Sequence, residues 1–214
     1  MQALRRLMQL SDSAFPAGAY AFSDGLETYT QTKIVHDAAS LTALLETQLR
    51  LGWGRCDAPA CALAWKNSDQ LQEINEILTA LKIVETIRTS SFRMGSALER
   101  AASQIWSNLQ FQIPPSSHHA VVFGSIARTL EIPQDQTVTA FVSSWVLGKA
   151  TAATRLFKIG GIETQKIVSS LEPIILETVQ FSLNAELHHI SSFTPALDLA
   201  ARAQIDLPMR LFQS

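Results

Sequence analysis

Apolar residues spaced by three and four recur along almost the whole chain, the period a helix needs to bury one face. Leu71, Ile74, Ile77, Leu78 and Leu81 form one such stripe. Leu41, Leu44, Leu45 and Leu49 form another, behind Asp37 at a position suited to an N-cap. Leu4, Leu7 and Met8 predict a short opening helix, and Leu26, Tyr29 and Thr30 resume helical spacing after an interruption containing Pro16 and Gly18. Ser68 is placed to cap the helix that follows it. Phe92, Leu98, Ile105, Trp106 and Leu109 mark another helix, which must end before Pro114 and Pro115 because neither carries a backbone donor. Residues 135–157, with Val138, Phe141, Val142, Trp145 and Leu147, read as a helix apolar nearly all round and therefore central. Residues 158–163 break it. The span 167–187 is helical again, with Pro173 marking a kink or a fresh start. Thr194-Pro195 pairs an N-cap residue with proline at the first helical position, leading into 196–203. One segment, 118–130, fits either a buried strand through Val121-Val122-Phe123 or a helix with Ala120, Phe123, Ala127 and Leu130 on one side. No Asn-Gly or Asp-Gly turn joins two alternating runs, and Asp24-Gly25 is flanked by helical spacing. With no internal repeat and no low-complexity linker, the expectation is one all-α domain over 1–214, a bundle of roughly eight to ten helices.

Composition narrows the function classes. The chain has 214 residues, 47% apolar and 17% charged, with a formal net charge of -2. A chain of this length buries ~70% of the surface its unfolded form exposes. Without a basic stripe or an acidic tail, nucleic acid is not an expected partner. Cys56 and Cys61 are too few for a disulfide framework and fit a reducing compartment. Residues 1–10 carry Arg5 and Arg6, but Asp12 interrupts the apolar run a signal peptide requires. No run reaches the ~18 apolar residues of a membrane span. A cytoplasmic chain with no membrane partner is the expectation.

Catalytic signatures are incomplete. Gly148-Lys149 suggests a phosphate loop, but Ser143 stands where its first glycine belongs and Ala150 where Ser or Thr is needed. The stretch 11–27 has glycines but no lysine or arginine. His118-His119 and His188-His189 are neighbours, and adjacent helical side chains diverge by ~100°, so they do not share one ion easily. Cys56 and Cys61 fit no nucleophile signature. Glu27, Glu85, Glu99 and Glu163 read as solvated helix faces, as do Arg93 and Arg100. No catalytic, cofactor-binding or metal-binding residue is assigned. The tail is different: Leu211-Phe212 beside Arg210 is unusually apolar for a free end, and an Arg–aromatic pair is typical of interface anchors.

Five blocks in order resemble the urease accessory protein UreF family. They are "SDSAFPAGAYAFSDGLE" (11–27), "ETIRTSSFRMGSAL" (85–98), "HHAVVFGSIARTL" (118–130), "RLFKIGGIETQKI" (155–167) and the ending "SFTPALDLAA…RLFQS". The resemblance implies a cytoplasmic, all-helical homodimer that is not itself an enzyme. It would bind UreD (also called UreH), recruit the GTPase UreG, and with them deliver nickel to apo-urease. Its role would be that of a scaffold in urease maturation, able to modulate GTP hydrolysis by UreG, with nickel handled by the assembled complex. The partner-binding residues it implies are Tyr20, Phe22, Arg210, Leu211, Phe212 and Ser214, with 208–214 a flexible docking tail. Phe22 stands where the family often has His or Tyr, Gly161 where Gln is common, and Gln204 where His is frequent. These departures weaken nickel binding or acid–base work at those positions. The alternative is a helical small-molecule or metal-binding domain with its own activity, suggested by the glycines of 11–27 and the histidine pairs.

Overall fold

The computed structural model describes residues 1–18, 25–204 and 211–212. Among these residues there are eleven α-helices and no strand. They are α1 (Gln2–Leu10), α2 (Leu26–Gln31), α3 (Ala38–Leu51), α4 (Trp53–Lys66), α5 (Leu71–Leu81) and α6 (Glu85–Ile105), then α7 (His119–Thr129), α8 (Gln134–Ala153), α9 (Gly161–Ser170), α10 (Glu172–Leu183) and α11 (Pro195–Ala203). A short 3-10 turn, Leu187–His189, precedes α11.

The ambiguous segment 118–130 is the helix α7. All eight residues from Ala120 to Ala127 are buried, because α7 lies between α4 and α6 and also touches α5 and α8. Asp37 caps α3 as expected: its carboxylate accepts from the Ser40 amide at 2.8 Å, and the Ser40 hydroxyl returns to the Asp37 backbone. Ser68 does not cap α5. That helix starts three residues later, and Gln70 is its N-cap, its Oε1 accepting from Asn67 Nδ2 at 2.8 Å. Thr194 is the N-cap of α11, with Pro195 at the start, but its hydroxyl makes no cap bond. Pro173 opens the new helix α10 rather than kinking a longer one.

The bundle is organised around α4, which packs against α3, α5, α7, α8 and α10. Its sequence, "WGRCDAPACALAWK", is small almost all round, and the ten residues Gly54 and Cys56–Ala64 are buried. Two apolar clusters meet on it. Cys56, Ala60, Cys61, Leu63 and Ala64 join the one built with α5, α6 and α7. Ala58 and Ala62 join the other, built with α3, α8, α9 and α10. The α8 helix is central as expected, with Val138, Val142, Val146 and Ala150 fully buried.

α4 and α7 approach each other closely. A Cβ placed on Gly124 would collide with the Cys61 carbonyl oxygen and lie 3.1 Å from the Trp65 amide nitrogen. Both obstacles are backbone, which cannot rotate away. Pro59 sits inside α4 and has no N–H for the carbonyl four residues before it. That carbonyl, of Arg55, accepts instead from the Ser191 amide at 3.0 Å. One step along, the Phe193 amide donates to the Leu51 carbonyl at 2.8 Å. The segment leading into α11 is thereby fastened across the α3–α4 junction.

Gly124→Ala should destabilise the fold by more than the ~1–3 kcal/mol typical of an added methyl, since helix axes must separate to admit it. Chemical denaturation measures this; a loss under ~0.5 kcal/mol would mean that α4 and α7 are not locked together.

Candidate functional site

Gly25 begins the site. It is the N-cap of α2 with φ +87°, a left-handed conformation that L side chains rarely adopt, and a Cβ there would stand 3.1 Å from the Ala201 amide nitrogen of α11. α2 and α11 therefore pack tightly. The Thr28 hydroxyl donates to the Ala200 carbonyl at 2.8 Å, a buried bond between the two helices.

A chain of hydrogen bonds extends this contact. The Gly25 amide donates to Gln204 Oε1 at 3.3 Å. Gln204 Nε2 donates to Glu27 Oε2 at 2.9 Å. Glu27 Oε1 accepts from the Leu211 amide at 2.6 Å. Glu27 is 1% exposed and Gln204 fully buried. The N-terminal block and the tail, 184 residues apart in sequence at this bond, are thus joined at one buried carboxylate.

Of the six residues expected to bind partners, Tyr20, Phe22, Arg210 and Ser214 lie outside the described residues. Leu211 is 59% exposed, while Phe212 is buried in the cluster formed with α3, α8, α9 and α10. Glu27 is a correction to the sequence reading. It is not a solvated helix face, because α11 and Leu211 cover the first turn of α2 and satisfy both carboxylate oxygens. Glu85, Glu163, Arg93 and Arg100 are exposed as expected. Glu99 is half-buried, and burial raises its carboxyl pKa. The signal that could have found Glu27 was its place in the first turn behind a glycine, within a block matched as a unit.

Beside this junction lies a cavity of about 420 Å³. One wall is aromatic: Trp53 stacks on Trp145 at 4.6 Å and lies 5.0 Å from Phe141. The other carries a buried ion pair, Lys82 Nζ to Asp57 Oδ2 at 2.6 Å. Gln48, 6% exposed, also lines the cavity, and its Nε2 has no hydrogen-bond partner among the described residues.

The histidine pairs serve different ends. His118 is fully buried: Ser91 Oγ lies 3.0 Å from Nδ1, Thr79 Oγ1 lies 3.1 Å from Nε2, and Phe92 stacks on the ring at 3.9 Å. His119 turns away, its ring 5.4 Å from that of Phe141. Burial, with Lys82 and Arg88 adding to it, lowers the His118 pKa to about 3. Burial and then Lys82 lower that of His119 to about 4. The rings of His188 and His189 are 3.9 Å apart, with His189 Nδ1 accepting from the Glu186 amide at 2.9 Å. Among the described residues, no three His, Cys, Asp or Glu side chains converge as metal ligands would. Burial pushes the Cys56 thiol up to about 12 and Cys61 well above its ordinary value. Gly148-Lys149 lies within the regular helix α8, which has no loop there to wrap a phosphate. No helix among the described residues is long and apolar enough to cross a membrane.

Fold and site together define an all-α bundle whose terminal motifs meet at a buried carboxylate. Comparison with known proteins gives the family. A family model described as UreF matches residues 35–172. The urease accessory protein UreF of Rhodopseudomonas palustris (strain BisA53) is 30% identical over 224 residues, covering 99% of this chain and 93% of the relative. That of Brucella ovis is 30% identical, covering 99% and 94%, and that of Bacillus sp. (strain TB-90) is 26% identical over the full length of both. The chain belongs to the UreF family of urease accessory proteins.

The buried histidines predict a pH dependence. The folded chain holds His118 neutral down to about 3, whereas an unfolded imidazole takes up a proton near 6.5. Between these values the unfolded state binds more protons. Stability is therefore undiminished by this group above its unfolded pKa and falls as pH drops, by about 1.4 kcal/mol per pH unit. Urea titrations from about pH 6 to about pH 4.5 should show a shallower loss for His118→Gln than for wild type. Parallel slopes would contradict the buried neutral imidazole.

Proposed function

We propose that this chain is a non-catalytic scaffold in urease maturation. It joins a UreD/UreH-type protein to the GTPase UreG, and that assembly inserts nickel into apo-urease. Family membership supports the maturation role. The single observation that supports docking through the terminal motifs is their junction at Glu27, where Phe212 is anchored inward and Leu211 is left 59% exposed. An apolar residue held at the surface by its backbone loses little freedom on binding, which favours affinity. The absence of a phosphate loop from the 143–150 region agrees with nucleotide chemistry residing in the partner, whose GTP hydrolysis the scaffold modulates. Nickel is cargo of the assembled complex, and the scaffold acts as a homodimer in the cytoplasm.

The 420 Å³ cavity, with a Gln48 amide that has no partner among the described residues, favours a second reading, a small-molecule or metal-binding domain. Calorimetry of the isolated chain with GTP, GDP and Ni²⁺ separates the two. Tight nucleotide binding would favour the second reading.

The scaffold reading is tested by co-purification with a UreD-type partner. Removal of residues 208–214 should abolish capture without changing far-UV circular dichroism, and Leu211→Asp should weaken it by about 2 kcal/mol, roughly thirtyfold. Undiminished capture by both variants would exclude the tail from the interface.

A further inference from the structure

The direction of each hydrogen bond at the α2–α11 junction constrains which groups can stand there. Both ends of the chain of bonds are backbone donors: the Gly25 amide at one and the Leu211 amide at the other. Gln204 accepts from the first with its oxygen, so its nitrogen must donate onward. The next group therefore receives a donor from each side and must accept twice. Only a group with an acceptor on each side fits, and the carboxylate of Glu27, with its two oxygens, is one. An amide at position 27 would set one N–H against another whichever way it turned. Rotating Gln204 to relieve that clash would only move it to the Gly25 amide. No such constraint acts on a solvated glutamate, and among the described residues no cation pairs with Glu27. Among the described residues, its two acceptor bonds are the hydrogen bonds the buried side chain makes.

We infer that Glu27 and Gln204 are a positioning pair that fixes the C-terminal tail by its backbone against the first turn of α2, presenting the Leu211 side chain at a set place. The link to partner binding rests on the scaffold reading above; the fixing of the tail does not. Because the bond to the tail runs to a main-chain amide, it holds position 211 independently of which side chain is carried there. The side chain can then face a partner without being needed for its own placement. Phe212, 5% exposed, supplies the apolar half of the same anchorage.

Hydrogen exchange at the Leu211 amide of the isolated chain tests the pair directly. Glu27→Gln should raise that exchange at least tenfold while leaving the amides of α4 and α7 protected. Gln204→His should retain protection, because a neutral imidazole has one accepting and one donating nitrogen. Gln204→Leu, which has neither, should lose it. Should Glu27→Gln fail to fold, the contrast between the two Gln204 variants decides the matter. Unchanged exchange in Glu27→Gln, or equal exchange in Gln204→His and Gln204→Leu, would overturn the inference. Capture of a UreD-type partner is measured in parallel. Loss of protection together with a tenfold or greater loss of capture supports the full proposal. Loss of protection with wild-type capture overturns the link to docking, whereas a wild-type chain that captures no partner defeats the scaffold reading and leaves the positioning pair standing.

Discussion

The smallness of α4 is the constraint on which the rest of the molecule depends. From Cys56 to Ala62 α4 carries only small or short side chains, with no large one to hold its neighbours away, so five helices can pack on it. Gly124 on α7 allows one of these contacts to run backbone against backbone. Burial then comes from the neighbours, whose Leu, Ile and Val side chains close over the small helix from several directions. The interior titratable groups follow that design. The two thiols are held protonated, the form that does not ligate metals, and both ring nitrogens of His118 are occupied by Ser91 and Thr79.

From α4 a sequence of backbone contacts leads to the candidate site. Pro59 releases the Arg55 carbonyl, and Ser191 takes it; Leu51 and Phe193 repeat the bond beside it. These fix where α11 begins. α11 in turn meets α2 through Thr28 and Ala200, and its C-cap residue Gln204 meets Glu27. Glu27 then holds Leu211. An irregularity in the central helix is thus linked, step by step, to the placement of a surface residue in the tail. Under the proposed scaffold role, this chain of contacts would be the structural counterpart of an active site.

Much of the fold was legible in the sequence because helical period is a local property. The stripe 71–81, the Asp37 cap and the central apolar helix all follow from neighbours within a few turns. Segment 118–130 was not decidable locally: Val121-Val122-Phe123 suits a strand, and only the facing α4 and α6 make it a helix buried all round. Ser68 failed as a cap because the helix begins only at Leu71, behind Gln70, which makes no side-chain cap bond; four polar residues in a row, 67–70, leave the start undecided locally. At the site, the two matching terminal motifs were visible, but their meeting was not. Glu27 looks like any first-turn carboxylate until α11, nearly 180 residues later, is laid over it. Long-range covering of a polar group leaves no periodic trace.

The central claim, that this chain enables urease maturation without supplying chemistry of its own, is tested most directly in a urease operon from which its gene is removed. Urease protein should accumulate at normal levels, carry little nickel and show little activity, with activity restored by the chain in trans. Fully active, nickel-loaded urease in its absence would contradict the account.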